Sequence, residues 1–314
     1  MSDDRALVSV YIPTRNRVRS LDTAVESVLS QSYRNIELIV VNDASEDGTE
    51  EYLLRKAEMD ARLLPVTNAR PCGAAASRNI AILKAKGVFV TGLDDDDCFL
   101  PRRISAFLDY WRLLTAQGVQ PACLFAQDIC IDSGICRSIT RKRSSVTAEQ
   151  LLEYNYIGNQ VFAPREHFLQ AGLFDTNMPA WQDLDFLIRL LQRFGTAHLL
   201  DMPTYLFDTT MRTDRISLQE KKIRNAFERL ARKHADRPGS RKSFFLQMFQ
   251  EGYGLSPSAR DWLHFLSWKG FPKGMVRMLR ASWGWRYDQS LSAQPGVVAR
   301  TAQSIMSGGA LGGD

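Results

Sequence analysis

Residues 88–97 read Val88-Phe89-Val90-Thr91-Gly92-Leu93-Asp94-Asp95-Asp96-Asp97, an apolar run that passes directly into four carboxylates. Val88–Leu93 has the length and composition of a buried strand. Just before it, Ala74–Lys86 is Ala-rich and helical, with Gly87 as its stop. Further out the alternation continues. Leu7–Ile12 is a β-branched run closed by Pro13, and Leu21, Ala24, Val25, Val28 and Leu29 then follow helical spacing. Ile36–Val41 is a second strand and Leu63–Val66 a third, short one. Between them Asp47–Met59 reads as a helix with acidic residues in its first turn, where the macrodipole favours them. Such repetition implies βαβ units, a parallel sheet covered by helices, and right-handed crossovers.

In sheets of this kind ligands bind beyond the carboxyl ends of the strands. Three strand ends carry polar residues here: Pro13-Thr14-Arg15-Asn16-Arg17, Asn42-Asp43-Ala44-Ser45, and the four aspartates. Adjacent carboxylates repel one another, and a hard divalent cation is their natural compensator. An isolated acidic run is more often a solvated loop. Its position after a buried strand, facing the same crevice as Asp43, favours the cation. An EF-hand is excluded, because its loop glycine and closing glutamate are missing. Asp43 reads either as a turn residue or as an acceptor for a nucleobase N–H. Arg78 reads either as a surface cation or as a phosphate ligand. Gly73-Ala74-Ala75-Ala76 suits helix packing or close approach of the backbone to a ligand.

The 314 residues are 45% hydrophobic and 24% charged, which excludes a disordered chain, a collagen-like fibre and a disulfide-stapled miniprotein. Cys72, Cys98, Cys123, Cys130 and Cys136 lack the two-residue spacing of a zinc knuckle or redox pair, and fit free thiols in a reducing compartment. No apolar run approaches the roughly 18–20 residues of a membrane span. The N-terminus lacks a basic-then-apolar signal. The chain is therefore expected in the cytoplasm, with a peripheral position on the inner membrane face as a further option. The net charge of +5 hides an asymmetry: residues 212–286 carry 17 Lys and Arg against 6 Asp and Glu. That basic stretch calls for an anionic partner.

The middle of the chain is mixed. Arg102–Leu114 is helical and Pro121–Ile131 strand-like. Asp183–Phe194 is a helix with Leu184, Leu187, Ile188 and Leu191 on one side. After Ser217 strand signals vanish, and the rest reads as a helical appendage that ends in a Gly-rich tail.

Taken together, several segments resemble the family 2 glycosyltransferases. These are Val8–Arg17; Ser30-Gln31-Ser32-Tyr33; Glu37–Thr49; Ala76-Ser77-Arg78-Asn79; and Leu93–Asp97 with Pro101. The resemblance covers about residues 6–217. It implies an α/β GT-A fold with a Rossmann-like nucleotide-binding sheet, and an inverting, metal-dependent enzyme that most often uses a UDP-sugar. The expected division is a nucleotide-sugar half (1–100), an acceptor half (101–217), a basic helical region (218–300) and a tail (301–314). By position, Pro13, Thr14, Arg15 and Asp43 would line the nucleotide pocket, and Arg78 would sit near the uridine or diphosphate. Asp94 and Asp96 match the family's DxD motif, with Asp96 on Mn²⁺ or Mg²⁺ and Asp94 or Asp95 on the ribose side.

Trp181-Gln182-Asp183-Leu184-Asp185-Phe186-Leu187-Ile188-Arg189 resembles the family's Glu-Asp-x-Asp-Leu-x-x-Arg segment. Asp183 then matches the general base, although an Asp there would also cap its helix. Gln182 stands where the family has Glu. Asp185 and Arg189 have the spacing of a helix-surface pair. Trp181 reads as an acceptor-sugar floor or as a core residue. The family's His after the final strand is absent, and Arg212 or Arg215 would contact the diphosphate instead.

Within the appendage, Pro272–Tyr287 places Lys273, Arg277 and Arg280 on one side of a helix. Met275, Met278, Leu279, Trp283 and Trp285 fall on the other, the pattern of an in-plane membrane helix or of a helix packed on the catalytic domain. No nucleic-acid signature is present. The expected function is transfer of a sugar from a nucleotide donor to a glycan or lipid-linked saccharide, in surface polysaccharide or lipopolysaccharide synthesis. The rivals are a non-catalytic nucleotide-sugar or lipid-binding protein, and a nucleotidyltransferase, whose Gly-rich phosphate loop Pro13–Arg17 lacks.

Overall fold

β1 (Val8–Thr14) lies between β2 (Ile36–Asn42) and β4 (Phe89–Gly92) and runs parallel to both. All seven of its residues are buried, as expected where helices cover both faces of a parallel sheet. β3 (Leu63–Thr67) adds to β2 in parallel. The intervening helices are α1 (Val18–Leu29), α2 (Thr49–Met59) and α3 (Ala74–Lys84). The computed structural model describes residues 6–132, 135–158, 160–209, 219–234, 239–250, 255–268 and 272–283.

The second half extends the same sheet. β9 (Phe162–Pro164) pairs antiparallel with β4. Beyond it come β6 (Cys123–Asp132), β10 (Ala197–Asp208) and β5 (Cys98–Phe99). β7 (Ile135–Ile139) pairs with β6, and β8 (Ser145–Val146) with β10. The β6–β10 pair is parallel, so the four-aspartate turn after β4 and the last residues of β6 and β10 lie toward the same end of the sheet. This is the mixed sheet of a GT-A fold.

Strand alternation divides the core. Val8, Val10 and Ile12 join α1 and α4 (Arg103–Ala116) on one face. Tyr11, Ile39 and Val41 join α3 and α7 (Gln182–Phe194) on the other. Gly87 marks the crossing from α3 to β4: a Cβ there would lie 2.5 Å from Ser9 Oγ. Only glycine lets that turn seat its N–H on Ser9.

Several helix limits differ from those expected, among them the start of α2 and the end of α3. α2 begins at Thr49, because Gly48 takes a left-handed conformation with φ 85°. Asp47 lies outside it and accepts from the Thr49 and Val18 N–H groups, joining the starts of α1 and α2. α3 ends at Lys84, two residues short of the expected limit.

The basic stretch forms α8 (Glu220–His234), α9 (Ser240–Gln247), α10 (Ala259–Leu266) and α11 (Pro272–Ser282). Ile223, Phe227, Leu230 and Phe244 are buried in the same cluster as α7. A polar joint reinforces this packing. Asp185, 0% exposed, accepts from Arg189 at 2.9 Å, Lys233 at 3.0 Å and His234 at 2.9 Å. The expected surface pair of Asp185 and Arg189 is thus a buried link between α7 and α8. Burial opposes ionisation of Asp185, but His234, Arg189 and Lys233 outweigh it and hold the carboxyl below its ordinary range.

α11 also faces otherwise than expected. Met278 is buried and Met275 partly so, packed on the core. A Cβ at Gly274 would meet Phe265 at 2.8 Å, so that side of the helix is pressed against α10. Val276, Leu279 and Trp283 remain exposed. Trp285, the tail and the rest of residues 284–314 lie outside the described residues.

Candidate active site

The turn after β4 fans its four carboxylates apart. Its backbone closes by Asp97 N–H on Asp94 C=O at 3.1 Å. Asp94 accepts from Arg78 and from Gln160, both at 3.0 Å. Asp95 and Asp96 share Arg17, at 3.1 and 3.2 Å. Asp97 turns inward, 2% exposed, and accepts from Tyr205 Oη at 2.7 Å and Asp208 N–H at 2.8 Å. Burial first, and then the charge of Asp94, push the Asp97 carboxyl well above its ordinary range. Asp97 therefore anchors the turn to β10; Asp95 is buried as well, at 6% exposed, and Asp94 and Asp96 are the two partly exposed carboxylates of the turn.

Gly92 allows this arrangement. A Cβ at Gly92 would fall 2.0 Å from Gln160 Oε1 and 2.3 Å from the Tyr11 ring. In that space Tyr11 Oη donates to Gln160 Oε1 at 3.2 Å, and Gln160 Nε2 passes the chain on to Asp94. The Arg78 guanidinium lies 5.5 Å from the Phe174 ring.

Asp183 stands in the first turn of α7, entered through Trp181 in a left-handed conformation at φ 58°. Its carboxylate accepts from Asn155 Nδ2 at 3.1 Å. Burial raises its pKa; the Arg78 charge opposes that rise and the Asp94 charge adds to it. Tyr11 feels the charges of Arg78, Asp94 and Asp183. Asp183, Asp94, Arg78 and Tyr11 therefore form one electrostatic group. Gln182 donates to the Met178 carbonyl at 3.0 Å. Trp181 is 6% exposed and belongs to the core cluster, so it leaves little ring face for a sugar and instead fixes the start of α7.

At the other strand ends, Pro13 and Thr14 are buried and Arg15 is exposed. Asp43 is 4% exposed. Its Oδ1 accepts from Asn68 at 2.9 Å and Cys72 N–H at 2.8 Å, and its Oδ2 accepts from Gly73 N–H at 2.8 Å. Burial works against the charge, yet these donors lower its pKa on balance. Asp43 thus shapes the 68–73 loop, and among the described residues its Oδ2 accepts from Gly73 alone. Arg212 and Arg215 lie outside the described residues.

The family model for glycosyl transferase family 2 matches residues 9–159. Putative colanic acid biosynthesis glycosyl transferase WcaA of Escherichia coli K12 is 33% identical over 235 residues, 74% of this chain and 82% of that protein. Putative teichuronic acid biosynthesis glycosyltransferase TuaG of Bacillus subtilis is 36% identical over 203 residues, 63% of this chain and 77% of that protein. The chain belongs to glycosyl transferase family 2. The structure of S. aureus TarS 1–349 in complex with UDP-GlcNAc superimposes with a TM-score of 0.60 at 14% identity, covering 98% of this chain and 93% of that one. That likeness carries the fold.

Family membership directs attention to the acidic turn as a metal site. Among the described residues no three His, Cys, Asp or Glu side chains converge as a closed cage. Magnesium-type sites commonly use one or two carboxylates, with water and substrate phosphate completing the shell. Asp94 and Asp96 present such hard oxygens within one turn, so the donor set fits a divalent ion that arrives with a diphosphate.

Arg17, Gln160, Tyr11 and Asn155 were not singled out in the sequence. Arg17 had a signal, a cation three residues beyond a strand end that faces an acidic turn. Gln160 and Asn155 had none, since their partners lie 66 and 28 residues away.

Proposed function

We propose that this glycosyltransferase moves a sugar from a UDP-sugar to a hydroxyl of a glycan or lipid-linked saccharide, with inversion, in surface polysaccharide assembly. The observation that carries the reading is the partly buried Arg78, bonded to Asp94 and close enough for its charge to act on Asp183. An acceptor hydroxyl is a poor nucleophile until its proton is taken. Asp183, held by Asn155 and raised in pKa by burial, is suited to take it. The leaving diphosphate needs positive charge on the opposite side of the anomeric carbon. Arg78 supplies part of it. A bound Mg²⁺ or Mn²⁺, held by Asp96 with Asp94 or Asp95 beside it, would supply Lewis-acid stabilisation of the same charge. Arg17 keeps Asp95 and Asp96 in one turn despite their repulsion. Asp43 and Pro13 would border the base. A proton acceptor on one side and a charge sink on the other give attack from the face opposite the leaving group.

A nucleotide-sugar panel with Mn²⁺, read by UDP release, tests this. Wild type should release UDP from at least one UDP-sugar, and Asp183→Asn should lose roughly 10²–10⁴-fold in rate while still binding UDP. A wild type that binds UDP-sugars without turnover is a binding protein. Pyrophosphate release from UTP and a sugar phosphate would indicate a nucleotidyltransferase.

Membrane contact is the second part of the reading. It rests on Val276, Leu279, Arg280 and Trp283, which share one exposed helical stripe, and on exposed Leu263 and Leu266 of α10. No helix among the described residues is long and apolar enough to cross a membrane.

A further inference from the structure

A cleft of about 300 Å³ opens beside Asn155, whose side chain donates to Asp183. Three segments wall it: Asp128 near the end of β6, residues 138–142 after the start of β7, and residues 154–158 after α5 (Ala148–Glu153). The last segment ties the cleft to the active site. Asn155 lines the cleft and donates to Asp183, and two residues past Gly158 the same stretch reaches Asp94 through Gln160. A ligand in the cleft that reaches Asn155 is therefore one side chain away from the carboxylate assigned as base.

The lining suits a saccharide. Tyr154, 38% exposed, and Tyr156 stand with ring centroids 4.9 Å apart, offering apolar faces with polar tips. Asn155 and Thr140 add hydrogen-bonding groups. The charges are uneven. Lys142 is neutralised by Asp128 at 2.7 Å and also donates to the Ile157 carbonyl at 2.8 Å. Arg141 lines the cleft, is exposed, and makes no ion pair among the described residues. Arg143 stacks 3.9 Å over the Tyr156 ring and donates to its hydroxyl, again with no carboxylate partner among the described residues. Arg141 thus stands at this cleft without a counter-charge among the described residues, and Arg143 stands against the Tyr156 ring that lines it.

Resting on the glycosyl-transfer reading above, we infer that this cleft is the acceptor subsite and that it selects an acidic saccharide, one carrying a carboxylate or a phosphate. Arg141 meets the anion, Tyr154 and Tyr156 carry the ring, and Asn155 sets the hydroxyl toward Asp183.

Saturation-transfer NMR on the full chain, with UDP present in excess to fill the donor site, tests this with three probes. These are p-nitrophenyl β-D-glucuronide, p-nitrophenyl β-D-glucoside and glucose 1-phosphate. At least one acidic probe should bind about fivefold or more tightly than the neutral glucoside, the low end for a hydrogen bond to a charged group near water. Preference for the glucuronide alone assigns a carboxylate, and preference for the phosphate alone assigns a phosphate. Arg141→Ala should remove the preference and Arg141→Lys should keep part of it. Tyr154→Ala should weaken every probe, and all three variants should bind UDP as wild type does. Equal binding of glucoside and acidic probes, no binding of any probe at millimolar concentration, or an unchanged preference in Arg141→Ala would overturn the assignment. Failure of UDP to bind would count against the donor reading instead, and leaves the comparison of glucuronide with glucoside readable.

Discussion

In the proposed role Asp183 has to be ionised to take a proton, yet its burial disfavours the charge. Arg78 is the cation that eases this conflict. The raised carboxyl should appear as an acid limb in the pH–rate profile, above the ordinary value of about 3.9. Below that limb the base is protonated and turnover falls. Replacing Arg78 by Met removes the charge that favours the carboxylate, so the limb should move to higher pH. A limb that stays in place would show that Arg78 does not act on Asp183. Gly92→Ala tests the other side of the site. Its methyl would meet Gln160 and Tyr11 well inside contact distance. Overpacking of this kind costs about 1–3 kcal/mol, and displacing Gln160 releases Asp94. Thermal melting and kcat together should show a loss in both.

At the scale of elements, α7 presents Asp183 toward Asn155 and Asp185 toward α8. Residues two apart on a helix lie on different faces, which is why one short acidic segment can serve both site and scaffold. Asp185→Asn should leave Arg189 without its counter-charge and Lys233 with Asp175 alone. The cost should be about 3 kcal/mol, the low end for breaking a buried pair, because Lys233 keeps 36% of its side chain in water. Urea unfolding measures it. The sign with pH follows from the lowered pKa. The Asp185 contribution is complete above the unfolded carboxylate value of about 3.9 and is lost as pH falls through the lower folded value. Acid unfolding of wild type and Asp185→Asn should therefore converge at low pH.

For the whole molecule, the basic helices share a core with the catalytic half, so their charge is carried on an outer face rather than on a separate body. Vesicles containing anionic lipid should sediment wild type and release it in high salt. Trp283→Ser with Leu279→Ser should lower that binding by about a hundredfold or more, since each buried apolar side chain contributes about 1.5–3 kcal/mol, and donor turnover in solution should stay unchanged. Equal binding to neutral vesicles would remove the electrostatic part of the reading.

Local pattern alone determined the βαβ order of residues 6–100, the acidic turn at a strand end, and the acidic start of α7, because strand and helix periods and strand-end chemistry are written over a few neighbouring residues. Pairing across the chain decided the rest. That Asp97 turns inward depends on Tyr205, 108 residues beyond it. Whether Met278 faces outward depends on Gly274 and Phe265. Asn155 meets Asp183 only once β6, β9 and β10 are in register. Burial and hydrogen-bond partners are properties of the packed chain, and no window of sequence contains them.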